Sequence, residues 1–239
     1  MLSKSAPLEL VKNFESLGDN CEIGVVKKKF NDDTGGLLRW AFSSDFSLLL
    51  DALNNRFQGL YQFENLRPWS EQMVLDIKYN IAFHSHIHSV ETNNAYIFKD
   101  SKEQRIKIYH PEFSKIQSLR DRLINNLETA SKIFVYKRNK YSIYQELAIE
   151  QDKPPEAFKS LPLTDEEVTQ LHHSLTSYNK KNRILVVGIA NDKQPGEVWE
   201  ASPNVFYAAI TKLAPYRNAY KSQYEEWLTI LEHTLKLAS

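Results

Sequence analysis

The spacing of apolar residues along the chain alternates between the period of a helix and that of a strand. "SSDFSLLLDALNNRFQGL" has apolar residues three and four positions apart, a Ser/Asp start and a terminal glycine, which predicts a helix. The same period predicts helices over "FSKIQSLRDRLINNLETA", "TDEEVTQLHHSLTSYNKKN" and "SQYEEWLTILEHTLKLA", and the second of these opens with the capping box of Thr164 and Glu167. A shorter helix is predicted over "CEIGVVKKKF".

The strand patterns indicate a sheet covered on both faces. "KIFVYKR" and "RILVVGIAND" are almost continuously apolar, which is typical of buried strands. "EQMVLDIKYNIAFHSHIHSVE" alternates and predicts a β-hairpin that turns near "KYN". The order helix, strand, helix, strand in the second half favours right-handed crossovers. We therefore predict one layered α/β domain over residues 1–239, with a mainly parallel sheet flanked by helices, a β-hairpin insertion and a proline-containing loop at about 151–163.

Composition narrows the possible partners. Thirty basic and thirty acidic residues cancel, which argues against nucleic-acid binding by charge alone. The longest strongly apolar run, "ILVVGIA", is too short to span a membrane, and the first residues contain no apolar signal segment. We expect a cytoplasmic protein with a small-molecule or glycan substrate and no membrane or nucleic-acid partner; the pattern leaves the oligomeric state open. Glycine-rich phosphate loops, H-E-x-x-H and C-x-x-C are absent, so we expect no cofactor and no metal.

Cys21 is the only cysteine in the chain. It follows "SLGDN" and opens a predicted helix, where the helix dipole and unpaired N–H groups favour a thiolate. The same N–H groups could hold an oxyanion, with polar contacts from Asp19 and Asn20 beside the thiol. A buried cysteine that only fills space is the alternative interpretation.

The segment "FHSHIHS" supplies candidate imidazoles. On a strand, His84, His86 and His88 would share one face, because side chains alternate. One of them could be the base for Cys21, two or three could bind zinc, or all could lie on an exposed polar face.

Two further stretches carry candidate ligand contacts. Asn191 and Asp192 follow a buried strand, where ligands of open α/β sheets bind, so either could orient an imidazole or bind a polar ligand. Both residue types are also common in turns. Arg39 and Trp40 in "GLLRWAF" could receive a carboxylate, phosphate or sugar, or Arg39 could bridge loop carbonyls.

Several of these blocks occur together in a known pattern. "FESLGDNCEIGVVKKKF", "GGLLRWAFSS", "YNIAFHSHIH", "ILVVGIAND" and "KLAPYRNAY" resemble a bacterial family of uncharacterised papain-like cysteine peptidases, over almost the whole chain. The resemblance implies a cysteine nucleophile at Cys21 and a histidine base. The family segment matches His84 and His88 but not His86, which makes His84 the first choice for the base and His88 the second. Members of the family are often associated with cell-surface glycan genes.

Two hypotheses of different classes follow. The first is a cysteine hydrolase or acyl transferase with catalytic Cys21, His84 and Asn191. Its substrate-binding candidates are Asp19, Asn20, Arg39, Trp40, His88 and Asp192. The second is a non-enzymatic module that binds a glycan or nucleotide-sugar through Arg39, Trp40 and the histidine segment. The resemblance favours a papain-like topology, whereas the apolar strands favour a Rossmann-like sheet; "SLGDNC" would also suit the G-D-S block of esterases with Cys in place of Ser.

Overall fold

A computed structural model of the protein describes residues 6–43, 45–93, 95–138, 163–190, 192–215 and 218–239. The helices are α1 (Ala6–Val11), α2 (Glu22–Lys29), α3 (Phe46–Asn54), α4 (Lys102–Thr129), α5 (Asp165–Thr176) and α6 (Tyr224–Leu237). The strands are β1 (Phe14–Ser16), β2 (Ala41–Ser43), β3 (Leu66–Ser70), β4 (Met73–Asp76), β5 (Ile81–His84), β6 (Ser89–Thr92), β7 (Ala95–Phe98), β8 (Ile133–Lys137), β9 (Arg183–Ile189), β10 (Val198–Ser202) and β11 (Val205–Ile210). The proline-containing loop predicted at 151–163 lies almost wholly outside the described residues.

The central sheet has five strands in the order β1-β8-β9-β11-β10. β1, β8, β9 and β11 run parallel, while β10 pairs antiparallel with β11. The α/β class predicted from the sequence is confirmed, because the described chain combines helices with a sheet that contains both parallel and antiparallel strands. Every residue of β8 is buried, which explains its unbroken apolar sequence.

Alternate residues of β8 point into two different hydrophobic clusters. Ile133 and Val135 pack with Trp227 of α6, whereas Phe134 and Tyr136 pack in the cluster that includes residues of α3, α4 and α5. This division follows from the period of a strand, in which successive side chains point to opposite faces. Both faces of the central sheet are therefore covered by apolar side chains.

A second sheet lies between β1 and β8 in the sequence. It has four antiparallel strands in the order β2-β5-β4-β3, and β6 and β7 form a separate antiparallel pair. The alternating segment around "KYN" supplies β4 and β5 of this sheet. No strand was predicted over "LRPWS"; β3 is an edge strand, where a proline such as Pro68 is tolerated.

The turn after β1 joins the two sheets. The carbonyl oxygen of Asp19 accepts a hydrogen bond from the backbone N–H of Ser43, the last residue of β2, at 3.2 Å. Gly18 has a φ of +102°, and a Cβ built on it would lie 3.6 Å from the Cβ of Ser43. Because β2 pairs with β5, this contact fixes where β5 ends relative to β1.

α4 begins at Lys102, well before the predicted helix start at Phe113. Ser101 and Gln104 form a capping box there, and the helix continues through Pro111, a residue that usually interrupts helices. None of the helices in the described ranges combines the length and apolar character needed to cross a membrane.

Candidate functional site

Cys21 lies at the carboxyl end of β1, at the start of α2. The chain reverses through Gly18 and Asp19, with φ values of +102° and +77°. The side chain of Asn20 accepts a hydrogen bond from the N–H of Glu22 at 2.9 Å, which closes the turn. Cys21 is the N-cap residue of α2, but its side chain makes no capping hydrogen bond. The thiol is therefore available for other contacts, at the positive end of the helix dipole.

His84, the last residue of β5, contacts this thiol. The distance from Sγ of Cys21 to Nε2 of His84 is 4.0 Å, although the two residues are 63 positions apart in the sequence. The contact follows from the joint between the sheets, which places the end of β5 beside the turn after β1. A base within reach of a thiol is the basic geometry of nucleophilic catalysis.

Both members of this pair are neutral near pH 7. Burial raises the pKa of Cys21 to about 11, and the positive charge of Lys137 opposes part of that increase. His84 is exposed as a residue, yet desolvation of its imidazole lowers its pKa below the ordinary value. A neutral imidazole can accept a proton, and a neutral thiol can donate one. Near pH 7 the pair therefore consists of a thiol and a neutral imidazole.

Lys137, the last residue of β8, forms a buried ionic cluster with the residues beside Cys21. Its Nζ lies 2.7 Å from Oδ2 of Asp19 and 3.2 Å from Oε2 of Glu22, and the Lys137 side chain is fully buried. Burial alone would lower the pKa of Lys137, but the two carboxylates outweigh it and raise the pKa. We call Lys137, Asp19 and Glu22 the Lys137 cluster. It fixes the residues on both sides of the thiol to the central sheet.

Glu22 connects the Lys137 cluster to the C-terminal helix. Its Oε1 accepts hydrogen bonds from Nε1 of Trp227 and from the backbone N–H of Ala214, each at 3.0 Å. The sequence reasoning missed Glu22, Lys137 and Trp227. The available signals were a glutamate next to the cysteine and a lysine at the carboxyl end of an otherwise apolar strand, where parallel strands present polar groups.

Asn20 is the second polar residue beside the thiol. It is 3% exposed, and its Nδ2 has no hydrogen-bond partner in the part of the chain that the structure describes, whereas its Oδ1 accepts from the N–H of Glu22. A buried amide N–H without a partner is uncommon because it loses the hydrogen bonds it made with water. This donor, next to the thiol, is therefore available to a polar atom of a bound ligand.

Arg39 and Trp40 pack against α2. Arg39 is buried, and its guanidinium donates to the backbone carbonyls of Thr34, Asp32 and Gly24. Trp40 is half-buried, and its ring lies against Gly24 and 5.2 Å from the guanidinium of Arg39. Of the two interpretations that the sequence left open for Arg39, the bridging of loop carbonyls describes this geometry.

The three histidines of "FHSHIHS" do not share a strand face, because β5 ends at His84. Glu112 of α4 accepts hydrogen bonds from the N–H of His86 and from the hydroxyl of Ser85, both at 2.7 Å, and so draws the chain out of the strand. His86 and His88 are exposed. In the part of the chain that the structure describes, no group of three His, Cys, Asp or Glu side chains could hold a metal ion.

Of the two candidates that follow β9, only one can be located. Asp192 is exposed beyond the carboxyl end of β9, the same end of the central sheet at which β1 leads to Cys21. Asn191 lies outside the described residues. The structure therefore brings together Cys21, His84, Asp19 and Asn20 from the predicted set and adds Lys137 and Glu22 to them.

Comparison with known proteins adds no relative: no family model, curated protein or solved structure matches the chain. The case for a function rests on the geometry around Cys21.

Proposed function

We propose that this protein is a cysteine-dependent hydrolase or acyl transferase in which Cys21 is the nucleophile and His84 the general base. The observation that carries the proposal is the 4.0 Å distance between Sγ of Cys21 and Nε2 of His84. This distance is longer than a strong hydrogen bond, as catalytic pairs often are before substrate binds. The resemblance to papain-like cysteine peptidases supports the same two roles.

The reaction would begin with transfer of the thiol proton to Nε2 of His84, while Sγ attacks the carbonyl carbon of an acyl donor. A C–S bond forms and the carbonyl π electrons move to oxygen. Collapse of this intermediate breaks the bond to the leaving group, which takes the proton from the imidazolium. Water then releases the acyl group as an acid, or an alcohol or amine acceptor takes it, with His84 again moving the proton.

Two features next to the thiol would stabilise the negative charge on the carbonyl oxygen. One is the N-terminal end of α2, and the other is Nδ2 of Asn20, which has no partner among the described residues. Donors that are already in position require no reorganisation when the charge develops. Asn20 would thus act as an oxyanion donor, and Lys137 would partly offset the burial that disfavours the thiolate.

We propose that the layered arrangement, with a mainly parallel sheet and an inserted β-hairpin, serves to bring a base from the insertion to a nucleophile at the end of β1. Cytoplasmic location and a small-molecule or glycan acyl substrate remain part of the same hypothesis. The association of the resembling family with cell-surface glycan genes makes acylated sugars the first substrates to screen.

The alternative, a non-enzymatic glycan or nucleotide-sugar module, has less support. It requires Arg39 to face a ligand, but the Arg39 guanidinium is committed to three backbone carbonyls. A guanidinium used in this way has little capacity left for a carboxylate or phosphate.

The test is formation of an acyl-enzyme at Cys21. Wild-type protein is incubated with activated acyl esters and thioesters, and peptide mass mapping locates any acyl group. We expect one acyl group at Cys21, none in Cys21→Ala, and a rate in His84→Gln lower by about a hundredfold or more, the usual contribution of a general base. His110→Gln, an exposed histidine on α4, is the matched control and should react like wild type. Acylation of the unfolded chain but never of the folded protein would overturn the proposal.

A further inference from the structure

A cavity lies between α5 and the strands β10 and β11. Its volume is about 450 Å³, within the range of small-ligand pockets. One wall is the face of α5 that carries Asp165, Thr169 and His172, and the other contains Trp199 and Tyr207. None of these elements supplies a residue to the thiol–imidazole pair or to the Lys137 cluster, so the cavity is a separate feature.

Two hydroxyl groups that line this cavity present acceptors, because their own hydrogens are already used. The Tyr207 hydroxyl donates to Oδ1 of Asp165 at 3.3 Å, and the Thr169 hydroxyl donates to the backbone carbonyl of Asp165 at 2.8 Å. Each oxygen keeps lone pairs for a ligand. Asp165 itself only accepts when ionised, and it is the one charged residue in the lining.

His172 adds a fourth acceptor. Its Nε2 is buried and has no hydrogen-bond partner among the described residues. Burial lowers the pKa of His172, although a hydrogen bond to the backbone of Asn182 partly raises it, so the ring is neutral near pH 7. A neutral imidazole presents one nitrogen as an acceptor, and the tautomer with its proton on Nδ1 makes Nε2 that acceptor. An acceptor buried without a donor is destabilising until a donor arrives.

The remaining lining is apolar and aromatic apart from Ser202. Val168 and Val205 face the cavity, and the rings of Trp199 and Tyr207 stack with centroids 5.8 Å apart. Lys193 lies over the Trp199 ring at 5.2 Å, and its charge is paired with Glu197 at 3.0 Å. Among the described residues, the cavity thus combines one carboxylate without a lysine or arginine partner, several acceptors and a wall suited to methylene groups.

We propose that the cavity between α5 and the β10–β11 strands binds a small aliphatic amine in its ammonium form. The ammonium group supplies three donors and one positive charge, which match Asp165, Nε2 of His172 and the Tyr207 oxygen. The alkyl chain packs on Val168 and Val205. A free diamine or polyamine and a lysine side chain of a peptide share this chemistry.

The test is a tryptophan fluorescence titration of the full chain with 1,5-diaminopentane, with Trp199→Phe to assign the signal. 1,5-Pentanediol is the neutral control ligand. Asp165→Asn should weaken binding about tenfold or more, because it removes the only charge in the lining. Glu166→Gln, the neighbouring exposed carboxylate outside the cavity, is the matched control and should change binding by less than about twofold.

The outcomes distinguish binding of the amine in the cavity from non-specific electrostatic attraction of the amine to the protein surface. Saturable binding of the diamine but not the diol, lost in Asp165→Asn and retained in Glu166→Gln, supports the site. A parallel titration with Nα-acetyl-lysine amide identifies the source: tighter binding than the diamine indicates a peptide lysine, weaker binding a free polyamine. Equal binding of the diol, equal weakening by both carboxylate variants, or no saturable signal from either amine would overturn the proposal.

Discussion

Lys137 and Asp19 form an ion pair with 2.7 Å between Nζ and Oδ2, although the residues are 118 positions apart and both side chains are buried. Removing one partner of a buried pair leaves the other charge in a poorly solvated environment. Lys137→Met would remove the ammonium group that contacts the carboxylates of Asp19 and Glu22.

We therefore expect Lys137→Met to lower the free energy of unfolding by about 3–5 kcal/mol. Urea denaturation followed by circular dichroism measures it. The matched control is Lys236→Met, because Lys236 forms an exposed pair with Glu232 at 2.7 Å. That variant should change stability by less than about 1 kcal/mol. Equal effects of the two substitutions would show that the Lys137 cluster contributes no more than a surface pair.

Gly24 allows the segment around Arg39 to pack directly on α2. A Cβ on Gly24 would lie 2.5 Å from the carbonyl oxygen of Arg39 and 3.1 Å from the ring of Trp40. Gly24→Ala should therefore lower stability by about 1–3 kcal/mol, since the backbone of Arg39 must move. It should also alter the reactivity of Cys21, one helical turn earlier.

Gly188→Ala is the matched control, because position 188 has open space around it. A Cβ there meets no atom within 4 Å, so Gly188→Ala should be neutral or slightly stabilising. Thermal unfolding of both variants, with Cys21 alkylation rates, makes the comparison. If Gly24→Ala is as stable as Gly188→Ala, the close approach of the Arg39 segment to α2 is not required.

Arg39→Lys distinguishes a structural arginine from a ligand-binding one. A lysine cannot reach the three carbonyls that the guanidinium bridges, so we expect a loss of about 2–3 kcal/mol in the free energy of unfolding. Arg67→Lys is the control, because Arg67 also donates to two backbone carbonyls but is exposed. Full stability of Arg39→Lys, together with weaker sugar binding, would instead favour the alternative function.

The pH dependence of Cys21 alkylation follows from its raised pKa. A pKa of about 11 in place of 9.0 leaves less thiolate at any given pH. Near pH 7 the thiolate fraction is smaller by about a hundredfold, so the folded protein should react with iodoacetamide correspondingly more slowly than the unfolded chain. The rate should continue to increase above pH 9, where the unfolded chain levels off.

Intact mass reports this reaction without ambiguity, because Cys21 is the only thiol. Fast labelling of the folded protein at pH 6 would contradict the neutral thiol–imidazole pair and indicate a preformed thiolate.

The sequence predicted the elements that carry strong local signals and not the contacts between them. The apolar run of β9 and the capping box of α5 were both readable, because each depends on neighbouring residues. The hairpin of β10 and β11 was not predicted. Its turn needs Asn204 in the left-handed region, at a φ of +68°, and the exposed end of β10 has little apolar alternation.

The candidate site also depends on contacts between elements that are distant in the sequence. Cys21 and a histidine base could be proposed from residue types, but the choice of His84 over His86 depended on resemblance and is supported by distance only in the folded structure. In the sequence, nothing local distinguishes Lys137 from an exposed lysine at the end of a strand. Its burial depends on two carboxylates more than a hundred residues earlier, and no local pattern reports such a contact.

The parallel pairing of β1 with β8 joins Phe14 to Ile133, and the whole second sheet is synthesised between them. Contacts this distant in sequence form late, whereas the antiparallel sheet of β2 to β5 is built from nearby segments and can form first. On the ribosome, the turn that carries Cys21 must wait for β8 to emerge before Lys137 can neutralise its carboxylates. The nascent chain therefore exposes the thiol of Cys21 at least until β8 has emerged.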